Sequence, residues 1–271
     1  MSEYRGAAGV IGWPVAHSKS PIIHRFWLEA LGVDSDYGRF AVAPEDLPKA
    51  LAALPALGLR GVNITVPHKI AVMAHLDHID ASAQAVGAAN TIIVENGKLR
   101  GLNSDVAGFA EPLRAHDLAG KKAVIIGAGG ATRAVIAALQ NIPMDIVAIL
   151  NRTTARGENL AREFHLQHCK ILPLDAPLPA ADLLVNASTM GLKHIDPYAP
   201  DLSALPSTAL VYDIVYDPIE TALLYGAHMR GLRTIDGLDM LIGQAAVAFA
   251  HFYGLAAPRT EDAALKKLLL A

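Results

Sequence analysis

Residues 123–135 place a short apolar strand, a glycine-rich loop and an amphipathic helix in direct succession. The stretch reads AVIIGAGGATRAV, and its apolar run ends at Ile126. Glycines at such a turn let the backbone approach a pyrophosphate, whose charge the helix N-terminus then stabilises. The same alternation of short apolar strands and amphipathic helices continues along the chain. This pattern predicts an α/β fold with largely parallel sheets.

The length of 271 residues is sufficient for two domains. We place one junction near Ser104–Val106 and a second near Gly237. The sequence thus predicts an N-terminal α/β domain over 1–104, completed by a C-terminal helix in 238–271. A Rossmann-type dinucleotide-binding domain is expected over 105–237, with a cleft between the two domains.

Composition excludes several classes of protein. The chain is 52% hydrophobic and 18% charged, with a net charge of −3, which favours a folded core and disfavours nucleic-acid binding. Cys169 is the single cysteine, which fits a reducing compartment. No apolar run is long enough for a signal peptide or a membrane helix. We therefore expect a cytoplasmic protein, monomeric or homodimeric, that acts on a small molecule. No histidine pair has the companion ligands of a metal site.

Local patterns predict the elements that carry polar residues. Ser20 followed by Pro21 is typical of a helix start, with Ser20 as the N-cap of a helix ending at Leu31. Ser18 then remains next to an anion-binding helix N-terminus. Further helices are expected over 67–76, 218–230 and 239–253. Asn96-Gly97 predicts a type I′ hairpin that joins strands 91–95 and 98–102.

The hairpin register makes a geometric prediction. Glu95 pairs with Lys98, so Asn90 and Asp105 lie near each other at the open end of the hairpin. Asp105 or Ser104 could instead cap the following helix.

Two other polar residues of the first half need a reason for their positions. Asn63 lies in a predicted strand although asparagine is a poor strand former. Lys69 falls in the first turn of the expected helix 67–76, where its charge is disfavoured, which would suit proton transfer. Gln244 lies in a largely apolar helix and needs polar partners.

The residues after the next strand indicate which dinucleotide binds. NAD-binding units carry an acidic residue about 20 positions after the glycine loop. Here that place holds Asn151, followed by Arg152 and Arg156 with Thr153 between them. Guanidinium groups pair with a 2′-phosphate, so we expect NADP rather than NAD.

Seven stretches occur in order along nearly the whole chain: GWPVAHSKSP, NITVPHK, AANTI, GLNSD, GAGGA, NRTTAR and GLDMLIGQA. In this combination the chain resembles the shikimate dehydrogenases, NADP-dependent enzymes that reduce 3-dehydroshikimate in aromatic amino-acid biosynthesis. The sequence departs from the usual family pattern at Ser104, at Asp217 and in the stretch ASTMGLKHIDPY. None of these departures removes a catalytic group.

The resemblance implies a role for each matching position. Ser18 and Ser20 would bind the substrate carboxylate, and Lys69 and Asp105 would form the catalytic pair. The positions that would hold ring hydroxyls or line the same cleft are Thr65, Asn90, Gln244 and Tyr216. The positions that would bind NADP are Gly127, Ala128, Gly129, Gly130 and Ala131 in the phosphate loop, and Asn151, Arg152, Thr153 and Arg156 around the 2′-phosphate.

Three alternatives remain open from the sequence. A quinate or aminoshikimate dehydrogenase would share the fold and the catalytic pair. A catalytically idle NADP-binding protein would have no need of Lys69 and Asp105. A methylene-tetrahydrofolate enzyme would need an aromatic or apolar shelf for its pterin, whereas the HSKSP stretch is better suited to a small carboxylate.

Overall fold

The computed structural model describes residues 4–270, which form two compact units. The first unit runs up to Ala107 and resumes at Ile242; the second is Gly108–Leu241. None of the described helices is both long enough and apolar enough to span a bilayer.

The first unit is built around one six-stranded sheet. Its strands are β1 (Ala8–Gly12), β2 (Tyr37–Ala41), β3 (Gly61–Ile64), β4 (His78–Ile79), β5 (Thr91–Glu95) and β6 (Lys98–Leu102). Its helices are α1 (Ser20–Ala30), α2 (Leu47–Ala53), α3 (Ala81–Val86), α9 (Asp262–Leu270) and the parts within its bounds of α4 (Ser104–Leu113) and α8 (Gly237–Tyr253). The strand order is β2-β1-β3-β5-β6-β4.

The β5–β6 hairpin makes this first sheet mixed rather than parallel. Its register pairs Glu95 with Lys98 and Thr91 with Leu102, and both turn residues have positive φ, 52° at Asn96 and 76° at Gly97. The predicted type I′ hairpin is therefore confirmed, because the turn chemistry fixes the register.

The second unit holds a fully parallel sheet. Its strands are β7 (Lys122–Ile126), β8 (Asp145–Leu150), β9 (Lys170–Leu172), β10 (Leu183–Asn186), β11 (Leu210–Asp213) and β12 (Arg233–Ile235). The helices α5 (Gly130–Gln140), α6 (Thr154–Glu163) and α7 (Ala222–Met229) connect them. The order β9-β8-β7-β10-β11-β12 is the Rossmann order, in which ligands bind where the strand order reverses, here between β7 and β10. The α/β prediction is confirmed.

Several predicted element boundaries are wrong. The helix expected over 218–230 begins only at Ala222, because the Thr221 hydroxyl caps it by accepting the Leu224 N–H at 3.2 Å. No pattern in the sequence indicates the short strands β4 and β9 or the helix α3. The expected C-terminal helix is two helices, α8 and α9, separated by residues 254–261; the first residue after α8 is Gly254, which has a φ of 68°.

Candidate active site

Lys69 and Asp105 form an ion pair in the first unit. The Lys69 ammonium donates to Asp105 Oδ2 at 2.6 Å, and the Asp105 side chain is only 12% exposed. Lys69 lies in a turn after β3, and Asp105 lies in the first turn of α4. The pair therefore joins a cation to a carboxylate from two separate elements, and two of the three ammonium N–H bonds remain for another acceptor.

The helix expected over 67–76 is wrong, and with it the argument that Lys69 lies at a positive helix end. Only Ala71–His75 is helical, as a 3-10 turn. The Lys69 carbonyl accepts the Ala89 N–H at 2.9 Å, and Met73 N–H bonds to Ile70 instead. A hydrogen bond to a distant segment thus takes the acceptor that an α-helix would have used.

The cap of helix α4 is Asn103 and not Asp105. Asn103 Oδ1 accepts the Asp105 N–H at 3.1 Å, at the start of α4. The alternative that Asp105 or Ser104 caps this helix is therefore excluded, and the Asp105 carboxylate binds Lys69 instead.

Asn90 anchors a buried polar network at the open end of the hairpin. Its Oδ1 accepts the Ser104 N–H at 2.7 Å, and its Nδ2 donates to the Ser104 hydroxyl at 3.0 Å. Ser104 also lies 3.4 Å from Gln244 Oε1 on α8, and Thr91 donates to Asn90 Oδ1 at 3.0 Å. These bonds hold Asn90 against Ser104, the residue that precedes Asp105, at the open end of the hairpin, as the hairpin register predicts.

Asn63 extends this network toward β2. The Tyr37 hydroxyl donates to Asn63 Oδ1 at 2.6 Å, and Asn63 Nδ2 donates to Thr91 Oγ1 at 3.0 Å. Tyr37 has no exposed surface, and burial raises the pKa of its hydroxyl. Sequence reasoning noted that Asn63 needs a reason but missed Tyr37. A tyrosine at the start of a strand gives no sign of a polar partner.

The serines of the HSKSP stretch lie side by side but not as predicted. Helix α1 begins at Ser20 with Lys19 as its N-cap residue, and no side chain caps it. Ser20 as the N-cap is therefore wrong. The Ser18 hydroxyl donates to the Ser20 hydroxyl at 3.3 Å and accepts the Ser20 N–H at 3.4 Å. The two hydroxyls therefore lie within hydrogen-bonding distance of each other.

The two remaining candidates for substrate binding lie in different units. Thr65 directly follows β3 and is half-buried, and its N–H donates to the Ile11 carbonyl at 2.9 Å. Tyr216 lies after β11 in the second unit, where burial, and secondarily the Asp217 carboxylate, raise the pKa of its hydroxyl. The first unit brings Thr65 into the segment that also carries Asn63 and Lys69.

The glycine loop after β7 leaves space for a ligand. A Cβ added at Gly129 or Gly130 would meet no atom within 4 Å. At Gly127, by contrast, φ is +103° and an added Cβ would lie 2.9 Å from the Ser188 Cβ. Gly127 thus serves the fold, whereas Gly129 and Gly130 keep an open cradle at the N-terminus of α5, which fits a dinucleotide pyrophosphate.

Thr132 replaces the third glycine of the usual motif without blocking the loop. It is fully buried, and its hydroxyl accepts the Gly129 N–H at 3.1 Å. The threonine therefore holds the loop against the start of α5.

The NRTTAR stretch follows β8, the parallel neighbour of β7. The Gly127 N–H donates to the Leu150 carbonyl at 2.8 Å, which joins the two loops. Asn151 Nδ2 donates to the Thr153 carbonyl at 2.7 Å. Arg152 and Arg156 are exposed, and neither forms an ion pair with any residue in 4–270. Two unneutralised guanidinium groups beside a pyrophosphate cradle fit the 2′-phosphate of NADP.

A second buried network lies under the loops of the second unit, and sequence reasoning missed it. Asp213, which has no exposed surface, accepts from Asn186 Nδ2 at 2.9 Å and from the Thr221 hydroxyl at 2.7 Å. Asn186 Oδ1 accepts the Ser188 hydroxyl at 2.7 Å. Burial raises the pKa of Asp213 to about 6. The signal available in the sequence was the polar residue at the end of each of two apolar strands, Asn186 and Asp213.

Comparisons with known proteins agree with this geometry. Residues 10–92 match the family model described as the shikimate dehydrogenase substrate binding domain, and residues 110–197 match that of shikimate / quinate 5-dehydrogenase. The shikimate dehydrogenase (NADP(+)) of Sphingopyxis alaskensis is 48% identical over 266 residues, which cover 97% of each chain.

Solved structures give the same result for the fold. A shikimate dehydrogenase in complex with NADP+ superposes with a TM-score of 0.91 and 36% identity, over 100% of this chain and 98% of that one. The shikimate 5-dehydrogenase of Thermus thermophilus, in complex with NADP(H) and shikimate, has a TM-score of 0.87 and 38% identity, over 97% of this chain and 99% of that one.

Proposed function

The chain belongs to the shikimate dehydrogenase family, and we propose that it reduces 3-dehydroshikimate to shikimate with NADPH, reversibly, in aromatic amino-acid biosynthesis. The observation that carries this proposal is the 2.6 Å pair of Lys69 and Asp105, set beside the network of Asn90, Ser104 and Gln244. A protein that only binds NADP has no use for such a pair.

We assign the domains as the sequence predicts. The proposed substrate-binding catalytic domain is 1–104 with 238–271, and the proposed NADP-binding domain is 105–237. The compact units of the structure divide slightly later, after Ala107 and after Leu241, so that Asp105 lies in the first unit. The two matched family models support this division, since the first is described as a substrate-binding domain. Monomer or homodimer, and a cytoplasmic location, remain predictions from the sequence.

The substrate residues are assigned by resemblance to the family, and the chemistry of their side chains supports the assignment. The hydroxyls of Ser18 and Ser20 donate to the substrate carboxylate. Thr65, Asn90 and Gln244 hold the ring hydroxyls, because hydroxyl and amide groups can both donate and accept. Tyr216, in the second unit, is a further candidate for substrate binding, as the resemblance to the family implies.

The cofactor residues fit NADP(H) on the geometry described above. The backbone of Gly127, Ala128, Gly129, Gly130 and Ala131 cradles the pyrophosphate, and Asn151, Arg152, Thr153 and Arg156 hold the 2′-phosphate and the ribose beside it. When bound, NADPH supplies the hydride that reduces the substrate carbonyl.

Lys69 and Asp105 handle the proton. Lys69 Nζ donates a proton to the alkoxide that develops at C3, and in the reverse direction it accepts the proton from the hydroxyl. Asp105 holds the ammonium in place and compensates its charge. Since the expected helix at Lys69 does not form, the assignment to lysine rests on the donor geometry: Lys69 keeps two N–H bonds for the substrate.

The test is the appearance of NADPH absorbance with purified protein, shikimate and NADP+. Parallel reactions contain NAD+ in place of NADP+, or quinate in place of shikimate. We expect strong turnover only with shikimate and NADP+. No turnover with any combination, despite tight NADP+ binding, would refute the enzyme proposal in favour of an idle binding protein.

Quinate is an alternative substrate with specific support, because the family model over residues 110–197 is described as shikimate / quinate 5-dehydrogenase. A higher kcat/KM for quinate than for shikimate would favour this alternative and leave the catalytic pair unchanged.

A further inference from the structure

The N-terminus of α1 offers little to a carboxylate, although the serine pair lies there. The Ser20 N–H is taken by the Ser18 hydroxyl, Pro21 has no N–H, and the Ile22 N–H donates to the Lys19 carbonyl at 3.0 Å. The backbone donors that make a helix N-terminus attractive to anions therefore already have acceptors.

Lys19, the cation between the two serines, is also directed elsewhere. Its ammonium donates to the Leu269 carbonyl in the last turn of α9. An anion bound by Ser18 and Ser20 would thus meet two neutral hydroxyls, and any compensating charge has to come from another element.

Arg39 on β2 is that charge. Its Nε and Nη2 both donate to the Ser18 carbonyl, at 3.1 and 2.6 Å. The side chain is exposed, and in the described part of the chain it forms no ion pair. Arg25, on the outer part of α1, is the contrasting case, because Asp36 Oδ1 neutralises it at 3.0 Å.

We propose that Arg39 is a positioning residue for the substrate carboxylate, a role that rests on the proposed function. Its guanidinium fork fixes the backbone of Ser18 and so orients the hydroxyl that donates to the carboxylate. The same unneutralised charge lies at the Ser18 carbonyl and favours an anionic ligand over a neutral one of equal shape. Arg39 therefore makes the site selective for an acid.

The test compares Arg39→Gln, Arg39→Lys and the control Arg25→Gln, which removes an exposed arginine charge elsewhere in the first unit. Each variant is assayed with shikimate and with shikimate methyl ester, which keeps the ring but loses the charge. For Arg39→Gln we expect the shikimate KM to rise roughly tenfold, because a charge-assisted interaction is lost. The KM for NADP+ and kcat should stay within about twofold of wild type, since only ligand binding is changed.

The ester and the lysine variant separate charge from structure. With the methyl ester, the KM of Arg39→Gln should rise less than with shikimate, because the ester still meets the Ser18 hydroxyl but carries no charge. Arg39→Lys, which keeps the charge without the two-donor fork, should recover part of the shikimate affinity. An unchanged shikimate KM in Arg39→Gln, or equal increases for acid and ester, would overturn the proposal. So would an equal effect of Arg25→Gln.

Wild-type turnover separates this proposal from the function itself. If wild type does not oxidise shikimate, the proposed function fails, and calorimetric binding of shikimate to wild type and Arg39→Gln still tests Arg39. If wild type binds shikimate and the variant binds it as tightly, the Arg39 proposal alone is wrong. If wild type does not bind shikimate, both are wrong.

Discussion

At the open end of the β5–β6 hairpin the candidate groups are hydrogen-bonded to one another, whereas those that follow the carboxyl ends of β7 and β8 in the second sheet face open space. Lys69 is held by Asp105, and Asn90 by Ser104. Gly129 has no neighbour where a Cβ would lie, and Arg152 is exposed. The first region is organised before any ligand arrives, which suits chemistry; the second gains its order from the ligand, which suits affinity.

The largest expected effect tests whether the organised region carries the chemistry. Lys69→Ala should lower kcat by roughly 10³-fold, because general acid–base catalysis contributes this much. The KM for shikimate and the affinity for NADP+ should change little. Steady-state kinetics measure both, and Lys49→Ala, which removes a lysine paired with Asp46 on the surface, is the control. A kcat within tenfold of wild type would refute the role of Lys69.

Asp105 sharpens the same test, because the two groups act as a unit. Once Lys69 is gone, the further change Asp105→Asn should cost little, since effects within one unit are not additive. Additive losses in kcat would mean that the pair works as two independent groups.

The second effect concerns the open region. Replacing both Arg152 and Arg156 by Gln should raise the KM for NADP+ by about 10²-fold, because two charge-assisted contacts to the 2′-phosphate are lost. The KM for NAD+ should not change. Arg162→Gln, in the last turn of α6, the helix that also carries Arg156, is the control. Equal losses with NADP+ and NAD+ would show that the arginines support the fold rather than the phosphate.

The two regions also differ in what the sequence could predict. The sequence predicts the hairpin to the residue because Asn96-Gly97 fixes its turn. It predicts the phosphate loop because an apolar strand, a glycine-rich loop and a helix follow one another. The segment 67–76 was predicted wrongly because the Lys69 carbonyl bonds to Ala89, a contact between segments 20 residues apart in sequence. Tyr37 and Asp213 were missed for the same reason, since only the tertiary fold brings their partners to them.

Asp213 qualifies the contrast, because it gives the second unit a buried network of its own. Its pKa of about 6 lies above the ordinary value of 3.8, so its contribution to stability is present below pH 4 and is lost as the pH rises through 6. Above pH 6 the buried carboxylate is ionised, which costs free energy of folding; Asp213→Asn removes this cost and keeps most of the hydrogen bonds. We expect the variant to gain about 2 kcal/mol over wild type at pH 8 and nothing at pH 4.

Denaturant unfolding between pH 4 and pH 8 measures this difference. Asp201→Asn is a control of opposite sign, because hydrogen bonds from Ser203 lower the pKa of the exposed Asp201. If the stability difference between Asp213→Asn and wild type does not vary with pH, the pKa of Asp213 is not raised in the folded protein.

The smallest effect compares two glycines of a single loop. Gly129→Ala places its methyl group in open space, so the melting temperature should not change, while the KM for NADP+ should rise by about tenfold because the methyl group fills the pyrophosphate cradle. Gly127→Ala should instead destabilise the protein by more than about 1 kcal/mol, because φ is +103° and Ser188 is in contact. If Gly129→Ala binds NADP+ as tightly as wild type, the open space at Gly129 is not the pyrophosphate site. The proposal that the open region of the second unit binds the cofactor would then be wrong for this loop.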